Sequence, residues 1–281
     1  MNSLHVATSV ADAIAALADR GDAGAPLAGA TWIMRAPIRK EPHYRSYVAL
    51  AKIEELQQVE LLDDRLSIGA CVTHAQLAAV IAPLPEFHAL AAAAGSSANP
   101  AIRQMATIGG NLCAAGFAAA DLVPALICLA AQVELAMPGE SMRVSIGTFL
   151  TMRTNLPPGC LVRRVMVPRT TCRSDHVRLT LRKAGDYPVV IVSLAAELSP
   201  AGVVKSARVA IGSVEAVARR WEKLERLLIG HPLDPGDVTE KAALCAEEMQ
   251  GREGVEAPGW YRIKVLPSLV GRAAHNIQGQ C

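Results

Sequence analysis

An α+β fold in two domains is what this sequence predicts, and three observations carry that expectation. The chain has 281 residues, enough for about two domains at roughly 100–200 residues each. Apolar residues make up 51% and charged residues 19%, a mix that buries enough surface to offset chain entropy and argues against disorder. In the later half, three strand-like runs are followed by three helical ones, the order of an α+β module.

Taken in order, residues 9–20 place Val10, Ile14 and Leu17 on one helical face, with Ser9 as cap, Asp12 in the first turn and Gly21 just beyond the end. The run 27–31 reads as a buried strand that passes into small residues and a hydroxyl, where backbone can approach a ligand closely. Strands are expected at 46–52 and 65–72, and Thr73 caps a helix that begins at His74. A helix at 87–94 leads through a Gly-Ser-Ser-Ala-Asn-Pro stretch to residues 106–111, and Asp121 precedes an apolar helix at 122–131. Strands at 133–136 and 161–167 bracket a Pro-Gly turn, and the arginine-rich run 163–173 is the expected domain seam. Strands at 177–182, 189–198 and 207–213 precede helices at 217–228, at 238–250 and after Trp260.

Composition excludes several functions. Lys and Arg number 28 against 26 Asp and Glu, and a net charge of +2 leaves no electrostatic footprint for nucleic acid. The longest nearly uninterrupted apolar stretch, 122–131, contains Pro124 and falls far short of the ~18–20 residues of a bilayer span, so no membrane insertion is expected. The first residues lack a basic region followed by a long apolar one, and a cytoplasmic location is the expectation. Seven cysteines, at 71, 113, 128, 160, 172, 245 and 281, are odd in number and without a CxxC, and read as reduced small hydrophobes. With only 3 Phe, 3 Trp and 4 Tyr, alanine does the filling, which points to a subunit that closes part of its apolar surface against partners.

Thr107-Ile108-Gly109-Gly110-Asn111 is the most informative segment. Consecutive glycines remove the side-chain wall and let backbone N–H groups point at an anionic group, while Thr107 and Asn111 add polar contacts. Taken alone, the motif fits a plain Gly-Gly turn as well, Gly29 with Thr31 reads more readily as a turn, and Asp121 reads as a charge matched to a helix dipole. There is no GxGxxG after a strand, no GxxxxGK followed by Ser or Thr, no HExxH and no GxSxG. The histidines at 5, 43, 74, 88, 176, 231 and 275 never cluster at metal-ligand spacing, and Arg163, Arg164, Arg169 and Arg173 form a solvated face or meet an acidic partner. Any redox chemistry must therefore belong to a bound cofactor.

Six stretches occur in a fixed order: PLAGATWIM at 26–34, IGACVTHAQL at 68–77, IRQMATIGGN at 102–111, Asp121 followed by LVPAL, RKAGDYPVV at 182–190, and AIGSV at 210–214. Together they resemble the flavin-binding medium subunit of the xanthine dehydrogenase and carbon monoxide dehydrogenase family of molybdenum hydroxylases. There the first loop is usually LAGGT, the strand-helix junction IGA-x-VTHAEL, and the second loop IRN-x-ATIGGN. The resemblance implies a two-part FAD-binding domain of the vanillyl-alcohol-oxidase / UDP-N-acetylenolpyruvylglucosamine reductase type over residues 1–172. It also implies a smaller C-terminal α+β domain over 173–281, with a three-stranded antiparallel sheet and helices.

The implied activity is that of an oxidoreductase subunit. A large subunit hydroxylates substrate at a molybdenum-pterin centre, and a small subunit with two [2Fe-2S] clusters passes electrons to the FAD of this chain, in a dimer of heterotrimers. The resemblance assigns Leu27, Ala28, Gly29, Ala30, Thr31, Trp32 and Ile33, with Thr107, Ile108, Gly109, Gly110 and Asn111, to the adenosine diphosphate part of FAD through backbone amides. Asp121 is assigned to a ribityl or ribose hydroxyl and Val162 to the neighbourhood of the isoalloxazine. Arg182 or Lys183 falls where a cation approaches the ring and stabilises the charge of its reduced form.

The sequence departs from the family at three places. Ala30 replaces the second glycine, at about 1 kcal/mol if that position needs φ > 0. Residues 114–120 lack the usual Ser-Pro, and Phe117 there either packs over the flavin or fills a core gap. Trp32 stands for an acidic residue; it can stack on cofactor, close a subunit interface or fill scaffold, and burial as scaffold is the expectation. Two other readings are a flavin-free structural subunit and a stand-alone flavin reductase, the latter without the landmarks at 182–214.

Overall fold

The structure, a computed structural model, describes residues 3–182 and 187–280. Along the chain run β1 (Ser3–Val6), α1 (Val10–Arg20), β2 (Gly24–Leu27), β3 (Ser46–Ala49), β4 (Val59–Leu61), β5 (Arg65–Gly69) and α2 (His74–Ile81). Next come α3 (His88–Ser96), α4 (Pro100–Arg103), α5 (Ile108–Cys113), α6 (Leu122–Cys128), β6 (Gln132–Met137), β7 (Glu140–Ser145), α7 (Ile146–Met152) and β8 (Leu161–Pro168). The last stretch holds β9 (Arg173–Leu179), β10 (Val190–Leu198), β11 (Val204–Gly212), β12 (Arg219–Arg220), α8 (Glu222–Leu228), α9 (Pro235–Cys245) and α10 (Gly259–Gln278). These elements form two compact units, one of residues 1–77, 100–115 and 131–168, the other of residues 78–99, 116–130 and 169–281.

The first unit carries two sheets. A parallel one runs β1-β3-β2, and an antiparallel one runs β4-β5-β8-β6-β7. Helix α1 buries Ala13, Ala16 and Leu17 with Val48, Leu50 and Ile53, which is the face its apolar spacing predicts. Ser9 caps it, accepting from the Asp12 amide at 3.1 Å, and Gly21 ends it at φ 52°. Strand β2 stops at Leu27 and does not continue to Thr31, because Ala30 sits in the left-handed region at φ 62°, which no strand accommodates. Strands β1 and β4 are additions to the expected set; at four and three residues, mostly exposed, they carry too little alternation to announce themselves.

In the second unit the sheet is antiparallel with the order β12-β11-β10-β9. It has four strands where three are expected, since β12 is two half-buried arginines with no apolar pattern. Strand β10 alternates. Val190, Val192, Leu194 and Ala196 enter a core with Trp221, Leu224, Val238, Leu266 and Val270. Ile191, Ser193 and Ala195 take the other face, where α6 packs so closely that a Cβ on Gly212 would stand 2.6 Å from Pro124 Cγ. The AIGSV landmark is a buried knot: Ser213 holds φ 63°, its amide donates to the Ala118 carbonyl at 3.0 Å, and Arg262 Nη1 and Arg252 Nε donate to its carbonyl at 3.0 and 2.9 Å. Helix α6 ends at Cys128, three residues before the expected end, where Ala130 turns left-handed at φ 56°. Among the described residues no helix is long and apolar enough to cross a membrane.

Candidate functional site

Three segments of the first unit are tied together, and two of them are the side-chain-poor loops. A Cβ on Gly29 would lie 1.8 Å from the Met105 carbonyl oxygen and 3.2 Å from Ala106 Cα, so only glycine lets the first loop meet the chain leading into the second. The third segment is the IGACVTHAQL junction. His74 donates its amide to the Ala106 carbonyl at 2.9 Å, and Ile108 donates to Val72 at 3.0 Å. Thr73 and Gln76 cap α2 reciprocally, with Thr73 N to Gln76 Oε1 at 3.0 Å and Gln76 N to Thr73 Oγ1 at 3.2 Å. Burial pushes the Cys71 thiol in this junction up to about 12, so it stays neutral and serves as packing.

The Gly-Gly pair lies inside the first turn of α5. Thr107 caps that turn, accepting from Gly110 N at 3.1 Å, while Gly109 N donates to Ala70 at 2.9 Å and Asn111 N to the Thr107 carbonyl at 2.9 Å. The amides of residues 108–111 are therefore all committed within the chain. Gly109 is glycine for close packing, since its Cβ would meet Ala70 Cβ at 2.8 Å. At the other end of α5, Arg153 donates to the carbonyls of Leu112 at 2.5 Å and Ala115 at 3.3 Å.

Uncommitted donors sit in the first loop. The backbone N–H groups of Ala28, Gly29, Ala30 and Thr31 make no hydrogen bond within the chain, and the positive φ of Ala30 interrupts the run. Successive free amides in a tight turn are a concavity for anions. Asn111 Oδ1 is buried and likewise has no hydrogen-bond partner. A molecule with phosphate acceptors and hydroxyl or amine donors, as FAD has, fits both sets. Trp32 is half-buried, not buried as expected: Arg39 lies over its ring at 3.9 Å and donates to its carbonyl at 2.9 Å. Val162 is buried in β8, paired with Leu135 beside the irregularity that follows Glu134.

Asp121 belongs to the second unit and is buried. It makes no capping bond to α6; its carboxylate meets Arg178, with Nε 2.9 Å from Oδ1 and Nη2 donating to Oδ2 at 3.4 Å. Arg178 and His176 stand two apart on β9 with Ser174, and all three point toward α3 and α6: Ser174 accepts the Ala89 amide, and Arg178 Nη1 donates to the Ser96 carbonyl. Neither Arg178 nor His176 is among the residues the sequence singles out, although the alternation of His176, Val177 and Arg178 is a signal that one face of this strand is polar. Arg182 is exposed, and Lys183 lies outside the described residues. Phe117 meets Tyr187 edge-on, with ring centroids 5.0 Å apart. Arg163 pairs with Glu55 and with buried Glu134, which Arg164 also approaches, and Arg169 pairs with Glu86.

A first loop with four backbone N–H groups uncommitted within the chain, tied to a second loop through glycine, has the donors to meet an anion. Residues 1–170 match the FAD binding domain in molybdopterin dehydrogenase, residues 175–277 match the CO dehydrogenase flavoprotein C-terminal domain, and the chain belongs to this family of FAD-binding oxidoreductase subunits. It is 28% identical over 286 residues to the carbon monoxide dehydrogenase medium chain of Afipia carboxidovorans, covering 98% of this chain and 96% of that one. It is 27% identical over 270 residues to the 6-hydroxypseudooxynicotine dehydrogenase complex subunit alpha of Paenarthrobacter nicotinovorans, covering 95% and 91%. A crystal structure of Cu,Mo-CO dehydrogenase in its cyanide-inactivated form contains a chain that superimposes with a TM-score of 0.89 at 25% identity, covering 100% of this chain and 98% of that one. The two-domain FAD-binding fold is thus that of a CO dehydrogenase medium chain.

Proposed function

We propose that this chain carries FAD as the electron-delivering subunit of a molybdenum hydroxylase complex, and that the loop 27–33 receives the diphosphate. The four uncommitted amides at 28–31 support this reading best, since diphosphate oxygens only accept and these groups only donate. Residues 107–111 contribute shape and Asn111 Oδ1 as an acceptor for a sugar or adenine donor. Asp121 takes a ribityl or ribose hydroxyl, and Val162 lies near the isoalloxazine. To the basic candidates Arg182 and Lys183 we add Arg178, already paired with Asp121. FAD, when bound, accepts electrons singly and releases them as a pair.

The partners in this reading are a large molybdenum-pterin subunit and a small subunit with two [2Fe-2S] clusters, in a dimer of heterotrimers that passes electrons through FAD to a terminal acceptor. The FAD domain is of the vanillyl-alcohol-oxidase type and ends near residue 172. A cytoplasmic location is part of this reading. Ala30 argues for the flavin-free alternative only weakly: it already holds φ 62°, so its strain of about 1–2 kcal/mol falls on folding and not on affinity. The test is flavin content. One FAD released per chain when the purified complex is denatured is the expected result, and a complex with its other subunits fully loaded but no flavin overturns the proposal.

A further inference from the structure

Of the three tryptophans, Trp221 is buried and Trp32 half-buried, whereas Trp260, in the first turn of α10, is 64% exposed. Beside it a loop of the second unit is closed at its base. Gly251 and Gly259 meet so tightly that a Cβ on either would stand 2.2 Å from the other's carbonyl oxygen. Residues 251–259 therefore leave and return at one place, the geometry of an Ω-loop. The polar side chains of this loop turn inward. Glu253 Oε1 accepts the Gly259 amide at 3.1 Å, and Arg252 donates from Nε and Nη2 to the Ser213 carbonyl and hydroxyl, both at 2.9 Å. Fully buried Arg262 donates from Nε to the Arg252 carbonyl at 3.0 Å. Both neighbours of Val255 lie against the Arg262 guanidinium: Glu256 Oε2 accepts from Nη2 at 3.1 Å, and a Cβ on Gly254 would stand 2.9 Å from Nη2. The tip is thus folded onto the start of α10, where Trp260 stands, with Val255 fully exposed at its point.

We propose that Trp260 and Val255 form a prebuilt docking knob for another subunit of the same complex, one that receives it in an apolar pocket rimmed by lysine or arginine. Tryptophan carries more binding energy at interfaces than most residue types. A knob already held by its own ion pairs and hydrogen bonds loses little freedom on docking. The charge around it selects the occupant. Residues 246–261 hold four Glu against one Arg, a net of −3 in a chain of net +2. Arg252 and Arg262 both turn to Glu256, while Glu247 and Glu253 face water; Lys264, one turn further along α10, is exposed. A second copy meeting this one through the same face sets −3 against −3, and an anionic lipid surface is repelled in the same way. A basic rim is attracted and steered into register. The inference rests on the reading of this chain as one subunit of a larger complex.

The experiment measures binding of the full chain to the large and small subunits, purified together, for wild type, Trp260→Ala, Val255→Asp and Glu247→Lys. All three side chains face water, so folding is kept, and circular dichroism and flavin content establish that it is. Trp260→Ala should bind about 30-fold and Val255→Asp about tenfold more weakly, each with wild-type FAD content. Glu247→Lys should slow association and flatten its salt dependence, with the dissociation rate unchanged. Wild-type affinity in both Trp260→Ala and Val255→Asp overturns the inference. So does a loss confined to self-association of the isolated chain, read by sedimentation, which assigns the knob to a second copy, or a loss confined to binding of phosphatidylserine vesicles, which assigns it to a membrane. Wild-type chain that associates with neither subunit removes the underlying reading of a complex; wild-type chain that assembles, with variants that assemble equally well, removes this inference alone.

Discussion

A single methyl group at position 29 tests whether the two loops must touch. In Gly29→Ala the new Cβ would stand 1.8 Å from the Met105 carbonyl oxygen and 2.7 Å from its carbonyl carbon, where real contacts do not fall below 3.0 Å. The loops must then part by about 1.2 Å, and no rotamer absorbs this because both sides are backbone. The displacement acts on Ala106, whose carbonyl anchors His74, and on Thr107, which caps α5. A misplacement of about 1 Å costs on the order of 100-fold in a positioned contact, so the FAD dissociation constant should rise about 100-fold, or about 2.7 kcal/mol. Folding stability should fall by about 1–3 kcal/mol through overpacking. Fluorescence titration of the flavin-stripped chain reads the first quantity and urea denaturation the second. At Gly110 a Cβ meets only the Thr107 hydroxyl at 2.9 Å, so Gly110→Ala serves as a milder control. Wild-type affinity in Gly29→Ala would refute the convergence of the loops as the basis of binding.

Three further outcomes follow from the same geometry. Ala30→Gly removes a left-handed alanine at φ 62°, and with about 1–2 kcal/mol of strain relieved against about 0.5–1 kcal/mol of glycine entropy, the urea midpoint should rise; a fall would place the strain elsewhere. Asp121→Ala strips a partly buried arginine of its buried counter-charge and should destabilise the chain by about 2 kcal/mol, part of which Arg178→Leu restores in the double variant; additive losses in a double-mutant cycle would deny the pairing. His88 has its pKa raised, first by its hydrogen bond to Asp175. A raised folded pKa contributes stability that is fully present below the ordinary histidine value of about 6.5 and is lost as pH rises through the folded value. The imidazole is half-exposed, so the effect is small. Urea denaturation on both sides of neutrality, with His88→Gln as the flat reference, measures it, and a slope of the opposite sign would contradict the assignment.

Much of the fold could be read locally. Ser9 and Asp12 at the start of α1, the Thr73 cap of α2 and the strand at 189–198 each depend on neighbours within a few residues, and each appears as expected. The strands that escaped are β1, β4, β7 and β12, short or largely polar and exposed, which exist because a partner strand is there to pair with them. The site divides the same way. Glycine at 29 and 109 was visible as an absence of side chain, but what fills the space, Met105 in one case and Ala70 in the other, was not. Ala30 was visible as a substitution, and its positive φ came only with the fold.

Residue identity and spacing settled the kind of chain this is: where glycines had to be, which helices had caps, and which residue types were at hand for an anion and for a hydroxyl. The pairing of those residues belongs to the tertiary structure. Arg178 and Asp121 are fifty-seven positions apart and meet within one unit, and the amides at 108–111 lose their availability to the carbonyls of Val72 and Ala70 and to Thr107. A hydrogen bond or ion pair depends on distances of a few tenths of an ångström. The order of residues along a chain sets the donors and acceptors, while packing alone sets which of them remain free for a ligand.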